Sequence, residues 1–436
     1  MADESRIRTP DKLWDLQRTL YRQAKKKPKW RAWSLYGDLC RSDVLEEAMK
    51  GVARNSGSCG VDGYSVERMR SDWEGFRDAL QTELREKTYH PEAVLRVWID
   101  KPGGGKRPLG IPTVKDRVVQ AALVLLLEPI FEADFHSESH AYRPGRSQQD
   151  AVTSIVRGVL SGLDHALDAD LSGYFDTIDH RRLLRLVRKR VSDGTILKLI
   201  KQMLRAPVVE VDENGKRRIV PSTGQGVPQG GVISPLLSNL YLNALDHAVN
   251  SVRGINAKMV RYADDIVILT KSWNLPEVRH RTKVWLERVG LRLNEEKTRA
   301  VDLDHEEMKF LGFSIRRRVS WKSGKRYVHV EPHRQSRKRF HEAIREELNH
   351  WTTWRDATEA VGRVNRIVRG WGNYFHYGSS TKVFTTEKRW LEERLRTWLV
   401  KKHRGRSGRK GRYTTYPSER LYEEYGLYAL PCWMKR

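Results

Sequence analysis

The sequence predicts an α+β protein in which a mixed part precedes a helical part. Residues 94–99 and 107–111 are strand-like and flank a glycine-rich turn. Residues 259–269 form two short apolar segments around Asp264 and Asp265, as in a hairpin. Phe340, Ile344, Leu348 and Trp351 recur at helical spacing, which indicates a separate helical domain after about Lys325 whose apolar stripe packs inward.

The composition indicates a protein that binds polyanions. The chain has 436 residues, enough for two to four domains, with 81 Lys and Arg against 55 Asp and Glu and a formal net charge of +26. Such a charge favours contact with phosphates, because neutralising them releases counterions. It argues against an ordinary small-molecule enzyme. The hydrophobic fraction of 39% excludes general disorder.

Cysteine usage and hydropathy predict a cytoplasmic protein with no membrane partner. Cys40, Cys59 and Cys432 lie far apart and have no zinc-ligand spacing, which fits a reducing compartment. Residues 1–29 are polar and basic and contain no secretory signal. The longest apolar run, residues 121–127, is too short for a bilayer and is typical of a buried helix.

Two acidic segments are candidates for a metal site. Adjacent Asp264 and Asp265 inside an apolar hairpin are costly unless a cation compensates them. A pair of Mg²⁺ ions, with Mn²⁺ as a substitute, would suit carboxylate oxygens and phosphoryl transfer. Asp168 and Asp170 share one face of an alternating strand, so periodicity leaves both open as a second arm. The alternative is that Asp264 and Asp265 are only turn residues.

Two further features concern helix ends. Asp179 is placed to cap a helix that begins near Arg181. A second helix is predicted to begin near Ser234.

Residues 403–412 are almost entirely glycine and basic residues, and this composition predicts a mobile basic loop.

Beyond these local patterns, an ordered set of motifs resembles the reverse transcriptases encoded by bacterial group II introns. The resemblance runs from about Arg41 to about Phe375, and the order of the motifs makes it specific. The motifs are Lys106-Arg-Pro-Leu-Gly-Ile-Pro112, Tyr142-Arg-Pro-Gly-Arg-Ser147, Asp170-Leu-Ser-Gly-Tyr-Phe-Asp176, Gly226-Val-Pro-Gln-Gly-Gly-Val-Ile-Ser-Pro-Leu-Leu237, Tyr262-Ala-Asp-Asp265, Leu293-Asn-Glu-Glu-Lys-Thr298, Phe310-Leu-Gly-Phe313 and Gly370-Trp-Gly-Asn-Tyr-Phe375.

The resemblance implies a right-hand polymerase, with fingers and a palm built on antiparallel sheet, followed by an α-helical thumb or maturase domain. The expected divisions are residues 1–90 for an N-terminal helical extension and the start of the fingers, 91–325 for fingers and palm, 326–400 for the thumb, and 401–436 for a basic tail. Many members continue into a zinc-containing HNH nuclease, which we do not expect in this sequence.

The resemblance also implies roles for the acids. Asp170 and Asp264 would bridge the metals, Asp265 would be auxiliary, and the carbonyl of Leu171 would add a ligand. The family pattern favours Asp170 over Asp168. Lys297 resembles a lysine that protonates the departing pyrophosphate, although a surface lysine in a Glu-Glu-Lys turn is an equal alternative.

Further roles concern the nucleotide and the primer. Lys101 and Arg107 would grip the triphosphate, and Gln229 would lie beside the nucleotide. Phe175 would crowd the sugar 2′-hydroxyl and so select deoxynucleotides. Neighbouring Tyr174 competes with it, because adjacent residues on an extended segment point to opposite sides. Gly312 would allow the turn that grips the primer.

Basic residues off the apolar stripe predict an RNA-binding surface. The predicted contacts are Arg334, Arg337 and Lys338 in the helical part, and Arg404, Arg406 and Arg409 in the tail. A face kept charged only for solubility is the alternative.

The resulting hypothesis is an RNA-directed DNA polymerase that also helps its intron RNA to splice. Its partners would be intron and template RNA, a DNA primer or target, and deoxynucleoside triphosphates. The alternatives are an RNA-binding maturase that makes little use of its polymerase, and a related bacterial enzyme of phage defence or CRISPR adaptation. The Gly370-Trp371 segment favours the intron hypothesis.

Overall fold

The computed structural model confirms the α+β class and divides the chain into two compact units. It describes residues 11–100, 104–211, 215–251, 256–403 and 408–432, apart from the side chains of residues 409 and 410. The first unit combines the chain up to Arg146 with Ala169–Ile268 and Pro276–Arg299. The second unit combines Ser147–Asp168, Leu269–Leu275 and the chain from Ala300 onwards.

The first unit contains most of the helices before residue 300 and one complete sheet. Its helices are α1 (Asp11–Lys26), α2 (Tyr36–Leu39), α3 (Ser42–Arg54), α4 (Val66–Ser71), α5 (Trp73–Glu86), α6 (Val114–Glu132), α8 (Tyr174–Thr177), α9 (His180–Arg188), α10 (Gly194–Arg205), α11 (Ser234–Asn250) and α12 (Leu275–Arg288). The sheet consists of β1 (Val94–Asp100), β2 (Lys106–Ile111), β4 (Val208–Val211) and β5 (Arg217–Val220) in the order β2-β1-β4-β5.

The predicted strand–turn–strand segment is confirmed. Strands β1 and β2 pair antiparallel, with Ile99 opposite Arg107 and Leu95 opposite Ile111. Strand β4 joins β1 in parallel. The predicted cap is confirmed as well, because the Asp179 carboxylate accepts a hydrogen bond of 2.7 Å from the Arg182 N–H.

The second unit contains a three-stranded sheet and the helices of the C-terminal part. The sheet has the order β11-β10-β9, with β9 (Met308–Phe310), β10 (Phe313–Val319) and β11 (Arg326–Pro332). The helices are α7 (Gln148–Leu160), α13 (Arg334–Glu347), α14 (Ala357–Phe375), α15 (Thr381–Lys402), α16 (Arg409–Thr415) and α17 (Ser418–Glu423).

A further four-stranded sheet carries the acidic segments. Its order is β6-β7-β3-β8, with β6 (Ala257–Tyr262), β7 (Asp265–Thr270), β3 (His165–Ala169) and β8 (Arg299–Asp302). The predicted hairpin of residues 259–269 is therefore confirmed as neighbouring β6 and β7. All residues of β7 after Asp265 are buried, which leaves the acids at one end of an apolar strand.

Helix α6 forms much of the core of the first unit. Val118, Leu123, Leu126 and Leu127 are fully buried, as predicted for this apolar segment. The Thr113 side chain caps its start by accepting from the Asp116 N–H. No helix in the described ranges combines the length and apolar character needed to cross a bilayer.

The C-terminal part differs from the sequence prediction at two points. Residues 326–332 form β11, which pairs with β10, so the helices begin only at Arg334. Phe340, Ile344 and Leu348 are buried as predicted, but Trp351 is 76% exposed. Its predicted inward packing is wrong, because α13 ends at Glu347 and Trp351 lies on a separate 3₁₀ turn.

The predicted basic loop of residues 403–412 is also partly wrong. Helix α16 begins at Arg409, and the Arg412 guanidinium lies 2.8 Å from the Glu393 carboxylate. Residues 404–407 of that segment lie outside the described ranges.

A buried arginine joins the β6–β7 hairpin to the rest of the first unit. The Arg261 side chain is fully buried, and its guanidinium donates two hydrogen bonds, of 2.8 and 2.6 Å, to the Asp246 carboxylate on α11. It also donates to Asn239 Oδ1, Ser139 Oγ and the Ala263 carbonyl oxygen. Burial alone would lower the pKa of Arg261, but Asp246 raises it above the usual value, so the guanidinium stays charged.

This pair yields a stability prediction. Asp246→Ala leaves a buried guanidinium without its anion, which should lower the free energy of unfolding by about 3–5 kcal/mol. Urea unfolding followed by circular dichroism measures the change. Glu277→Ala is the control, since Glu277 and Arg281 form an exposed pair worth about 0.2–1 kcal/mol. Equal losses in the two variants would contradict the assigned role of Asp246.

Candidate active site

The backbone of Asp170 is held on both sides by the segment of residues 294–298. The Asp170 N–H donates to Thr298 Oγ1 at 3.3 Å, and the Asp170 carbonyl accepts from the Asn294 N–H at 2.8 Å. The next residue, Leu171, forms an antiparallel bridge with Leu293. These contacts fix the carboxylate directly after the end of β3, with its side chain 40% exposed.

Asp264 lies in the turn between β6 and β7. Ala263 precedes it with a φ of +58°, a left-handed conformation that L-residues rarely adopt. The Arg261 guanidinium accounts for this turn, because it donates to the Ala263 carbonyl at 2.9 Å. Asp264 is half-buried, whereas Asp265 is exposed at the first position of β7.

The two carboxylates influence each other electrostatically. Burial raises the pKa of Asp264 above its ordinary value, and the negative charge of Asp170 acts in the same direction. Strand β3, which ends just before Asp170, is the neighbour of β7, which begins just after Asp264, whereas Asp168 lies half-buried within β3. Lys297 Nζ lies 3.8 Å from Asp170 Oδ2, but this lysine is 67% exposed, so the pair contributes little to stability.

The arrangement fits a hard cation that keeps open coordination positions. No group of three or more His, Cys, Asp or Glu side chains in the described ranges forms a ready metal cage. Asp170 and Asp264 supply two carboxylates, which is what a catalytic magnesium site typically offers while waters and substrate phosphates complete the shell. Burial raises the pKa of Asp264, and a bound cation would favour its charged form.

Phe175 and Tyr174 have different environments. They belong to the single turn α8, not to the extended segment that the sequence predicted. Tyr174 is 2% exposed and its hydroxyl donates to the Ser238 carbonyl at 2.7 Å, so it is a core residue. Phe175 is only half-buried, which leaves part of its ring accessible to a ligand.

The loop that contains Gln229 contacts both Phe175 and β2. The Val227 N–H donates to the Phe175 carbonyl at 2.7 Å, and the Gln229 carbonyl accepts from the Gly110 N–H at 2.5 Å. Gly230 has a φ of +108°, and a Cβ there would lie 2.4 Å from the Gly110 carbonyl oxygen. Only glycine allows this close approach.

The remaining predicted nucleotide and primer residues are placed as follows. Arg107 is exposed on β2, and Lys101 lies outside the described ranges. Gly312 belongs to the second unit, where it has a φ of +79° and its carbonyl accepts from the His333 N–H and from Ser336 Oγ, each at 2.9 Å.

The predicted RNA contacts differ among themselves. Arg334 and Lys338 have side chains 88% and 75% exposed. Arg337 is only 30% exposed, because its guanidinium binds the fully buried Glu387 carboxylate at 2.5 Å. Arg404 and Arg406 lie outside the described ranges, and Arg409 is described only as the first residue of α16.

Sequence reasoning missed the residues that hold the carboxylates. Arg261, Asn294 and Thr298 contact the backbone on either side of Asp264 and Asp170, and Arg261 and Thr298 are buried. A signal existed for Arg261, since a charged residue at an inward position of an apolar strand needs a buried partner. Thr298 belongs to the motif of residues 293–298, in which the sequence predicts a role for Lys297 and none for the threonine.

Comparison with known proteins identifies two domains in this chain. A family model described as reverse transcriptase (RNA-dependent DNA polymerase) matches residues 99–315, and one described as group II intron, maturase-specific domain matches residues 337–416. Protein YkfC of Escherichia coli is 31% identical over 362 residues, which cover 74% of this chain and 93% of that protein.

Two further relatives are products of introns by name. Group II intron-encoded protein LtrA of Lactococcus lactis is 35% identical over 223 residues, 49% of this chain and 35% of LtrA. An uncharacterized 91 kDa protein in the cob intron of Schizosaccharomyces pombe is 26% identical over 399 residues, 75% of this chain and 48% of that protein. The chain thus spans nearly all of YkfC but about a third of LtrA.

The matched reverse transcriptase domain shows that the chain is an RNA-directed DNA polymerase. The maturase-specific domain that follows it distinguishes this chain from polymerases of unrelated families. The chain belongs to the group II intron reverse transcriptase/maturase family, as the motifs indicated, and its function combines reverse transcription with assistance to splicing.

The close packing at Gly230 yields a prediction about activity. Gly230→Ala should displace the loop from β2 and lower kcat/KM for nucleotide addition roughly 10- to 100-fold, because small misplacements of a binding loop are costly. Gly224→Ala is the matched control, since Gly224 also has a positive φ, +80°, but no atom lies within 4 Å of its added Cβ. Primer extension at varied nucleotide concentration measures kcat/KM for the two variants. Equal losses of kcat/KM in both would assign the effect to backbone strain.

Proposed function

We propose that the site around Asp170 and Asp264 copies RNA into DNA by magnesium-dependent transfer of nucleotidyl groups. The observation that carries the proposal is that β3, which ends just before Asp170, and β7, which begins just after Asp264, are neighbours in one sheet, and that each acid lies on a backbone segment fixed by its own contacts. Asp265 is the auxiliary acid, and the Leu171 carbonyl completes the proposed ligand set. Two bound Mg²⁺ ions, with Mn²⁺ as a substitute, would activate the primer 3′-hydroxyl and stabilise the leaving pyrophosphate.

The protein's own residues would orient the reactants. Arg107, exposed on β2, supplies positive charge for the triphosphate, and Lys101 is proposed to share this role. Gln229 would lie beside the nucleotide on the loop that contacts β2. Lys297, next to Asp170 and largely exposed, is positioned to give a proton to the departing pyrophosphate.

The wider assignment follows the family. We propose that β1 and β2 belong to the fingers, that the sheet with β3, β6 and β7 forms the palm, and that α13 to α15 form the thumb. Gly312 would support the primer. Arg334 and Lys338 would contact RNA phosphates, and the basic tail would add further phosphate contacts. The substrates would be intron and template RNA, a DNA primer or target, and deoxynucleoside triphosphates in the cytoplasm.

The first experiment tests the carboxylate site. Asp264→Asn should abolish extension of a DNA primer on an RNA template, because an amide cannot replace the charge that holds the metals. The affinity for the template should stay near that of the wild type, because the carboxylates repel the template phosphates and so do not themselves hold the template. Primer extension and filter binding measure the two quantities, and Asp304→Asn, on a surface loop, serves as control. Extension by Asp264→Asn at the normal rate would refute the site.

The second experiment tests sugar selection. Phe175→Val should raise the use of ribonucleotides relative to deoxynucleotides by roughly 10- to 100-fold, because bulk next to the 2′-hydroxyl is removed. Single-nucleotide incorporation with each sugar measures the ratio. Tyr174→Phe is the control, since it removes only a buried hydroxyl bonded to Ser238. A ratio that changes with Tyr174→Phe and not with Phe175→Val would reverse the assignment.

A further inference from the structure

Tyr142 is an exposed aromatic residue next to a segment that pairs with β6, the strand that leads into the acidic turn. The segment before it runs parallel to β6: the Arg261 N–H donates to the Glu138 carbonyl, and the His140 N–H donates to the Arg261 carbonyl, each at 2.9 Å. Ser139 is thereby paired with Arg261. Tyr142 follows His140 by two residues, just as Asp264 follows the end of β6 at Tyr262.

The backbone on both sides of Tyr142 is fixed. The Ala141 carbonyl accepts from the buried Asn239 amide at 2.7 Å. On the other side, Arg143 donates two hydrogen bonds, of 2.8 and 2.6 Å, to the Glu132 carboxylate. Between these anchors Tyr142 has a φ of +54°, a left-handed conformation that is unfavourable for a bulky residue. Strain retained in this way is common at functional sites.

The Tyr142 side chain is 56% exposed, so burial of its ring does not explain the strained backbone. Its surroundings are those of the candidate active site. Burial raises the pKa of the Tyr142 hydroxyl, the charges of Asp264 and Asp265 act in the same direction, and the charge of Arg107 opposes them. The ring therefore stands within electrostatic reach of the metal-binding acids and of the arginine proposed to hold the triphosphate.

We propose that the Tyr142 ring forms one wall of the nucleotide site and packs against the base pair that the incoming nucleotide makes with the template. The inference rests on the proposed function of Asp170 and Asp264 and adds a positioning residue to that site. An exposed aromatic face is suited to this contact, because every base has a π-face and stacking tolerates any sequence. The rigid support on both sides of Tyr142 keeps the wall in place before the nucleotide arrives.

The test compares Tyr142→Phe, Tyr142→Ala and Tyr142→Gly in full-length protein with an RNA template and a DNA primer. Ala and Gly should both raise the KM for deoxynucleotides roughly 5- to 100-fold, the range that loss of one base–aromatic contact gives. The melting temperature and the affinity for primer–template should stay near wild type. Phe keeps the ring and should stay within about twofold of the wild-type KM.

The three variants separate the ring from the backbone and from the hydroxyl. Glycine adopts a positive φ freely, so a loss seen with Ala but not with Gly would assign the effect to backbone strain and overturn the proposal. A loss with Phe as large as with Ala would also overturn it, in favour of the hydroxyl. Wild-type KM in both Ala and Gly would leave the ring without a role.

Two controls complete the design. Trp33→Ala removes another exposed aromatic, 77% exposed, from the first unit and should leave KM unchanged. Asp264→Asn, assayed in parallel, keeps the inference separate from the proposed function. If Asp264→Asn is inactive while the Tyr142 variants behave as wild type, only the inference falls. If Asp264→Asn extends primers normally, the site itself is wrong.

Discussion

The ion pair between Arg261 and Asp246 is the interaction on which the geometry of the site depends. One buried guanidinium connects β6, α11, the loop at Ser139 and the carbonyl of Ala263. Taking two charges out of water is expensive, and apolar residues of the same size would often be no less stable. Apolar packing could not replace the charged pair, because packing is not directional. The five hydrogen bonds of the Arg261 guanidinium fix the turn that presents Asp264 and the segment that leads to Tyr142.

The two acids that we propose as metal ligands are held by independent means. Asp264 depends on the Arg261 guanidinium, whereas Asp170 is held through its own N–H and carbonyl by Thr298 and Asn294, far along the chain. Burial raises the pKa of Asp264, and repulsion by the negative charge of Asp170 acts in the same direction. A flexible backbone would relieve this repulsion by moving the carboxylates apart. Fixing each acid through backbone contacts prevents that relaxation and keeps both available for one pair of cations.

The sequence could predict the elements but not most of the contacts between them. The β6–β7 hairpin, the β1–β2 pair and the Asp179 cap follow from local patterns, and the structure confirms them. Trp351 continues the helical spacing of α13, but the helix ends before it, and spacing alone does not locate that end. Arg337 resembles its basic neighbours in sequence and differs only because Glu387, 50 residues away, is buried beside it. The supporting roles of Arg261 and Thr298 likewise depend on tertiary contacts that no local pattern contains.

The backbone around the site is irregular in a way that serves its chemistry. Among the described residues, those other than glycine with positive φ are Ser56, Lys87, Tyr142, Ala263 and Leu311. Tyr142 and Ala263 flank the acidic turn, and Gly230 adds a third unusual conformation where its loop meets β2. Regular strands and helices use their carbonyl and amide groups in backbone hydrogen bonds, and they direct side chains at fixed intervals. The proposed nucleotide site must bring together acids, an aromatic ring and a loop backbone, and this requires turns that interrupt the regular spacing of side chains. The buried contacts of Arg261, Asn239 and Arg143 hold these turns in place.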